Sequence, residues 1–140
     1  MGFLGKKNRD ADLVQEILDW NDADEHQKVA DAFESLPESE RSFDLIGLYA
    51  RALNNLERYT EALDALESVK EIGESDAKWH YRLAYALFYL DLEDKAKSHL
   101  IRSLEISGPD EITQELLDEV QSFLNRKDQW WEASRKPIFL

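Results

Sequence analysis

Apolar residues recur three or four positions apart along almost the whole chain, the spacing that lines one face of an α-helix. No stretch alternates with the period of two that a half-buried strand requires. Leu13, Ile17 and Trp20 mark a first face, followed by the polar turn "NDAD" and a second face at Val29 and Phe33, before Pro37 stops the run. Further on, Pro109 opens "DEITQELLDEVQSFLNRK", where Ile112, Leu116, Val120 and Phe123 again fall at helical spacing. The pattern predicts an all-α chain of helical hairpins.

The two hairpins between these ends are self-similar. Laying "FDLIGLYARALNNLERYTEALDAL" over "AKWHYRLAYALFYLDLEDKAKSHL" with a shift of 34 residues pairs Ala50 with Ala84, Leu53 with Leu87, Leu56 with Leu90, Ala62 with Ala96 and Leu66 with Leu100. One register holds throughout. The paired alanines supply small side chains where the two helices of each unit must approach closely, ridge into groove. The paired leucines fill the space around those contacts, and truncating a buried one to alanine costs about 2–5 kcal/mol. The turns fall at "NNLERYTE" and "YLDLEDK", where Asn and Asp cap helices or accept turn dihedrals.

A 34-residue period made of two helices resembles the tetratricopeptide family, and the match covers residues 43–109. The family's later small position is Val69 in one unit and Ser103 in the other, and its proline near the unit end survives only as Gly108-Pro109. Two units leave apolar faces open at both ends, and about three are needed for a stable stack. Residues 10–37 are therefore expected as a degenerate first hairpin, offset by 33 with Val29 over Ala62, ahead of repeats 43–74 and 77–109 and a capping helix 110–124. That single domain, 10–124, would lie between a flexible N-terminus, 1–9, and a tail, 125–140. The resemblance implies antiparallel hairpins stacked as a short right-handed superhelix of about seven helices, in a small bacterial-type protein, with a concave groove formed by the first helix of each unit.

Charge narrows the partners. The chain of 140 residues carries a formal charge of −13, and its distribution is uneven: +2 over residues 1–10, −17 over 11–124 and +2 over 125–140. So acidic a middle repels nucleic acid and anionic membrane. The longest apolar run, Leu83 to Leu90, is too short to span a bilayer. There is no cysteine, hence no disulfide, thiolate ligand or cysteine nucleophile, and with no targeting pattern at the start the expected location is the cytoplasm.

Motifs for catalysis are missing. His26, His80 and His99 fall on three separate predicted helices without close ligand spacing, and the five glycines are scattered singly, so neither a metal nor a phosphate loop is expected. The expectation is a non-enzyme without cofactors: a scaffold or adaptor that binds a peptide or protein segment. The alternatives are an acidic immunity or antitoxin-type protein that neutralises a basic partner, and a regulatory subunit of an enzyme.

Carrying the family register across places Asp44, Gly47, Arg51, Asn54 and Asn55 of one unit in the groove, with Lys78, Tyr81, Arg82, Tyr85, Phe88 and Tyr89 of the next. Arg51 and Arg82 suit a carboxylate, Asn54 or Asn55 a peptide backbone, and the tyrosines offer flat apolar area with a polar tip. The stripe reads as locally basic and aromatic. The plainer alternative is that Tyr85 and Phe88 pack between helices and that Arg82 pairs with a glutamate. Resemblance to the chaperone-tail carboxylate clamp is poor, because Gly47 and Tyr81 stand where polar or basic groups belong. The closing "QWWEASRKPIFL" raises two expectations. Trp130 and Trp131 would continue the last helix and cover its apolar side. Ile138, Phe139 and Leu140 would dock in this chain's groove, near Arg51 or Arg82, or in that of a second copy, giving a homodimer.

Overall fold

The computed structural model describes residues 2–135, with side chains from residue 9 onward, and contains helices joined by short turns, without a strand among the described residues. In chain order they are α1 (Gly2–Asp22), α2 (His26–Ser35), a 3-10 turn (Glu38–Glu40), α3 (Phe43–Asn55), α4 (Tyr59–Glu67), the short α5 (Lys70–Gly73), α6 (Ala77–Tyr89), α7 (Glu93–Ser107) and α8 (Glu111–Arg135). Pairs α1/α2, α3/α4 and α6/α7 are the hairpins, and α8 packs on α7.

The repeat is written into the turns as well as the faces. Asp24, Glu57 and Asp91 all take the left-handed backbone conformation, with φ of 55°, 61° and 63°. In each turn the following N–H reaches back to a helix carbonyl: Glu25 to Trp20 at 2.9 Å, Arg58 to Leu53 at 2.8 Å and Leu92 to Leu87 at 2.9 Å. The intervals are 33 and then 34 residues. Glutamate at position 57 is a departure, since Asn and Asp tolerate this conformation better. Asn54 and Asn55, expected at this turn, remain inside α3. The helix starts keep the same period. Ser42, Asp76 and Asp110 each accept the N–H three residues on, from Leu45 (3.2 Å), Trp79 (2.7 Å) and Thr113 (2.9 Å), which satisfies one orphan donor of α3, α6 and α8.

Ala50, Ala62, Ala84 and Ala96 are fully buried, as their close-packing role demands. At offset 33 the place of Ala50 is taken by Ile17, also fully buried, so the first hairpin uses a bulky residue where the others use a small one. One core cluster joins Ile17, Val29, Phe33 and Leu36 to Leu45 and Ala52. Another runs from Ala50 and Leu66 through Trp79, Leu83 and Leu100 to Leu116 and Val120. Trp79 is its largest member. Its indole N–H donates to the Leu66 carbonyl at 2.8 Å, and its ring lies so close to Gly73 that any Cβ there would overlap it. Glycine at position 73 is thus required by the tryptophan.

The last helix is longer than the pattern suggested. Phe88 meets Phe123 edge to face with ring centroids 5.9 Å apart, and Lys127 Nζ lies 3.4 Å from Glu93 Oε2, so α8 runs parallel to α6 and antiparallel to α7. Instead of ending at 124 it continues to Arg135. Trp130 and Trp131 do continue the helix, but at 67% and 55% exposure they cover no apolar side of it. At the other end α1 begins at Gly2, inside the stretch expected as a flexible N-terminus. Among the described residues no helix is long and apolar enough to cross a membrane. Because the two tryptophans bury little, changing either to alanine is expected to shift unfolding free energy by no more than about 0.5 kcal/mol; a loss above about 2 kcal/mol in urea denaturation would show that they are packed.

Candidate functional site

A groove of about 1030 Å³ crosses α3 and α6. Its floor carries Arg51, Asn54 and Asn55 from α3 and Lys78, Tyr81, Arg82 and Tyr85 from α6, one face of each helix at spacings of three and four. One wall is the α1–α2 turn with Asn21, Asp22 and Asp24. The other is the end of α7 and the start of α8, with Ser103, Asp110 and Thr113.

Arg51 already has a carboxylate. Its Nη2 lies 2.8 Å from Asp24 Oδ1 and its Nη1 3.2 Å from Asn21 Oδ1, tying the first hairpin to α3. The hydrogen bond and charge of Arg51 hold the Asp24 carboxyl below its ordinary range. Asn55 donates to the Arg51 carbonyl at 2.9 Å, one turn back in its own helix. Asn54, only 4% exposed, donates to the Arg82 carbonyl at 3.1 Å and so clamps α3 to α6. Its Oδ1 is buried without a partner among the described residues.

Arg82 is different. Its guanidinium lies over Gly47, in space that a side chain there would fill. Among the described residues it makes no ion pair with a carboxylate, and burial pulls its pKa down, partly offset by the charges of Asp76 and Asp44. Lys78, one turn earlier on α6, is exposed and has no ion-pair partner either among the described residues. Tyr81 and Tyr85 flank this pair of cations. Burial raises both phenols, that of Tyr85 to about 12. The rings continue beyond the groove: Tyr85 is 4.9 Å from Tyr89, which stacks on Tyr59 at 5.0 Å.

Two solved structures share this fold. The first TPR domain of the human RPAP3 protein, determined by NMR, matches with a TM-score of 0.71 and 18% identity, over 86% of this chain and 95% of that one. The first TPR of Spaghetti (RPAP3), bound to the HSP90 peptide SRMEEVD, matches with a TM-score of 0.72 and 16% identity, over 84% of this chain and 94% of that one. The chain has the tetratricopeptide-repeat fold. No protein-family model and no curated protein matches the sequence.

Within this TPR fold, seven of the eleven groove positions expected from the register come together, and Asp44, Gly47, Phe88 and Tyr89 are not among the lining residues: Tyr89 is 45% exposed in the aromatic cluster with Tyr59. Arg51 and Asn55 lie in the groove but spend their polar groups internally. Phe88 packs on Phe123, whereas the alternative of an Arg82–glutamate pair finds no support among the described residues. The stripe is not simply basic, because Asp22, Asp24 and Asp110 face Arg51, Lys78 and Arg82 across it. The register argument missed these aspartates because Asp24 and Asp110 sit in turns and Asp22 at the very end of α1. Their signal was the turn repeat itself, Asp24 standing 33 positions before Glu57.

Ile138, Phe139 and Leu140 lie outside the described residues.

The TPR core also joins two histidines that sequence spacing kept apart. Nδ1 of His80 on α6 lies 2.9 Å from Nδ1 of His99 on α7. Among the described residues no three His, Asp or Glu side chains are arranged to hold a metal ion.

Proposed function

We propose that this TPR domain is a non-catalytic interaction module that takes an extended acidic peptide or protein segment in the groove across α3 and α6. Lys78 and Arg82 receive its carboxylates, and Tyr81 and Tyr85 lie against its apolar atoms. The observation that carries this reading is that Lys78 and Arg82 line the groove without a carboxylate partner among the described residues, in a chain with 30 acidic side chains against 17 basic ones. A desolvated guanidinium without a counter-charge costs stability, and a ligand carboxylate recovers that cost. The structural neighbour bound to the acidic peptide SRMEEVD supports the ligand class. The acidic-antagonist and enzyme-subunit readings rest on net charge and general resemblance, and self-association through the tail has no described contact behind it.

The test is a titration of the full chain with labelled SRMEEVD and with a version in which glutamine and asparagine replace its acidic residues. Saturable binding of the acidic peptide, at least about tenfold tighter than the neutral one, is expected from one or two charge-assisted hydrogen bonds. Absence of binding, or equal affinity for both peptides, overturns the proposal.

A further inference from the structure

His80 is 5% exposed, and its two ring nitrogens have fixed partners. Nε2 lies 2.9 Å from the carbonyl oxygen of Glu74, in the connection between α5 and α6. A carbonyl only accepts, so Nε2 carries the hydrogen, and in the neutral ring Nδ1 is then bare. That bare nitrogen is 2.9 Å from Nδ1 of His99, which must therefore carry its hydrogen on Nδ1 and leave its own Nε2 bare. The neutral pair has one tautomeric arrangement.

We propose that His80 and His99 form a proton-sensitive latch, which fastens α6 to both α7 and the α5–α6 connection at neutral pH and releases on acidification. A first proton can enter at His99 Nε2 and keep every hydrogen bond. It enters a half-buried ring beside Lys70 of α5, with Lys95 and Arg102 one helical turn to either side on α7. No carboxylate forms an ion pair with either ring among the described residues, and α6 contributes only the edge of the uncharged Trp79, 4.9 Å from His80 and 6.0 Å from His99 between ring centroids. Burial, then the neighbouring ring, then Lys70 hold His99 below its ordinary value. The 2.9 Å between the two Nδ1 atoms has room for one hydrogen, since two N–H groups there would face each other. In the unfolded chain both rings protonate near about pH 6.5. The folded state thus binds fewer protons than the unfolded one in acid. The latch's contribution is complete above that pH and is lost as pH falls through and below it. For each proton withheld, the folded-to-unfolded ratio drops about tenfold per pH unit. The output falls on α6, which carries Lys78, Tyr81, Arg82 and Tyr85, so release loosens the floor of the groove.

The test compares urea denaturation of the full wild-type chain and of His99→Asn between about pH 8 and about pH 5, where histidine titrates. The asparagine amide keeps a donor towards His80 Nδ1 and does not titrate. His26, His80 and the carboxylates are present in both proteins, so the difference between the curves isolates the contribution of His99 to the latch. Wild type is expected to lose at least about tenfold more of its folded-to-unfolded ratio than the variant over this range. Nitrogen-15 spectra of the wild-type rings at the upper pH are expected to show Nε2–H on His80 and Nδ1–H on His99, a readout independent of how well the variant folds. Parallel stability curves, or two rings of the same tautomer titrating independently at the ordinary histidine value, overturn the proposal.

Discussion

Trp79→Ala is expected to cost about 3–5 kcal/mol of folding stability, a large part of the roughly 5–15 kcal/mol that holds a domain of this size together. Trp79 is 2% exposed at the centre of the larger core cluster, between Leu66 of one repeat and Leu100 of the next. Three losses coincide in the substitution. The ring area returns to water, the cavity cannot close because Gly73 on its far side has no side chain to move in, and the Leu66 carbonyl loses the indole N–H at 2.8 Å. Trp79→Phe separates these, since it keeps most of the packing and loses the hydrogen bond, and its cost should fall near about 1–3 kcal/mol. Urea midpoints measured with unchanged slope decide the matter. A loss below about 1 kcal/mol for the alanine variant would mean that the junction of the two repeats is not packed around this ring.

Arg82→Ala is expected to weaken binding of the acidic peptide by about 10- to 100-fold, the worth of a charge-assisted hydrogen bond to a carboxylate. Stability should change by less than about 1 kcal/mol, because the side chain gives up stem packing but also a desolvated charge without a partner. The contrast with Arg51→Ala is the informative control. Arg51 is engaged by Asp24 and Asn21, so its removal should disturb the join of the first hairpin to α3 and leave peptide affinity nearly unchanged. Arg82→Lys keeps the charge, yet replaces the planar fork by a point donor, and should recover only part of the affinity. Equal affinities for wild type and Arg82→Ala, both folded, would remove Arg82 from the site.

Both expectations turn on residues whose type was visible early and whose role was not. Arg51 and Arg82 stand about one turn apart in the repeat register, yet both read as cations able to hold a carboxylate over a groove. Only the fold separates them, because Asp24 comes from 27 residues before Arg51, on a turn whose direction depends on how α1 and α2 dock against α3. Gly47 was a flaw in the resemblance to a carboxylate clamp when read as a letter in a pattern. In the folded chain it is the space that the Arg82 guanidinium occupies.

What the amino-acid sequence determined alone is the repeat: helical faces, hairpin order, the 34-residue period and the four alanines at its close contacts. These are properties of single helices and adjacent pairs, so local spacing and side-chain size suffice to encode them. The tertiary structure decided which cation is left over, that Asn54 is a clamp between helices, that Trp130 and Trp131 stay in water on an extended α8, and that His80 and His99 share a hydrogen bond. Each of these depends on the rotation and axial level of one hairpin against the next. Those are set by the sum of many packing contacts across the stack, and no single spacing along the chain records them.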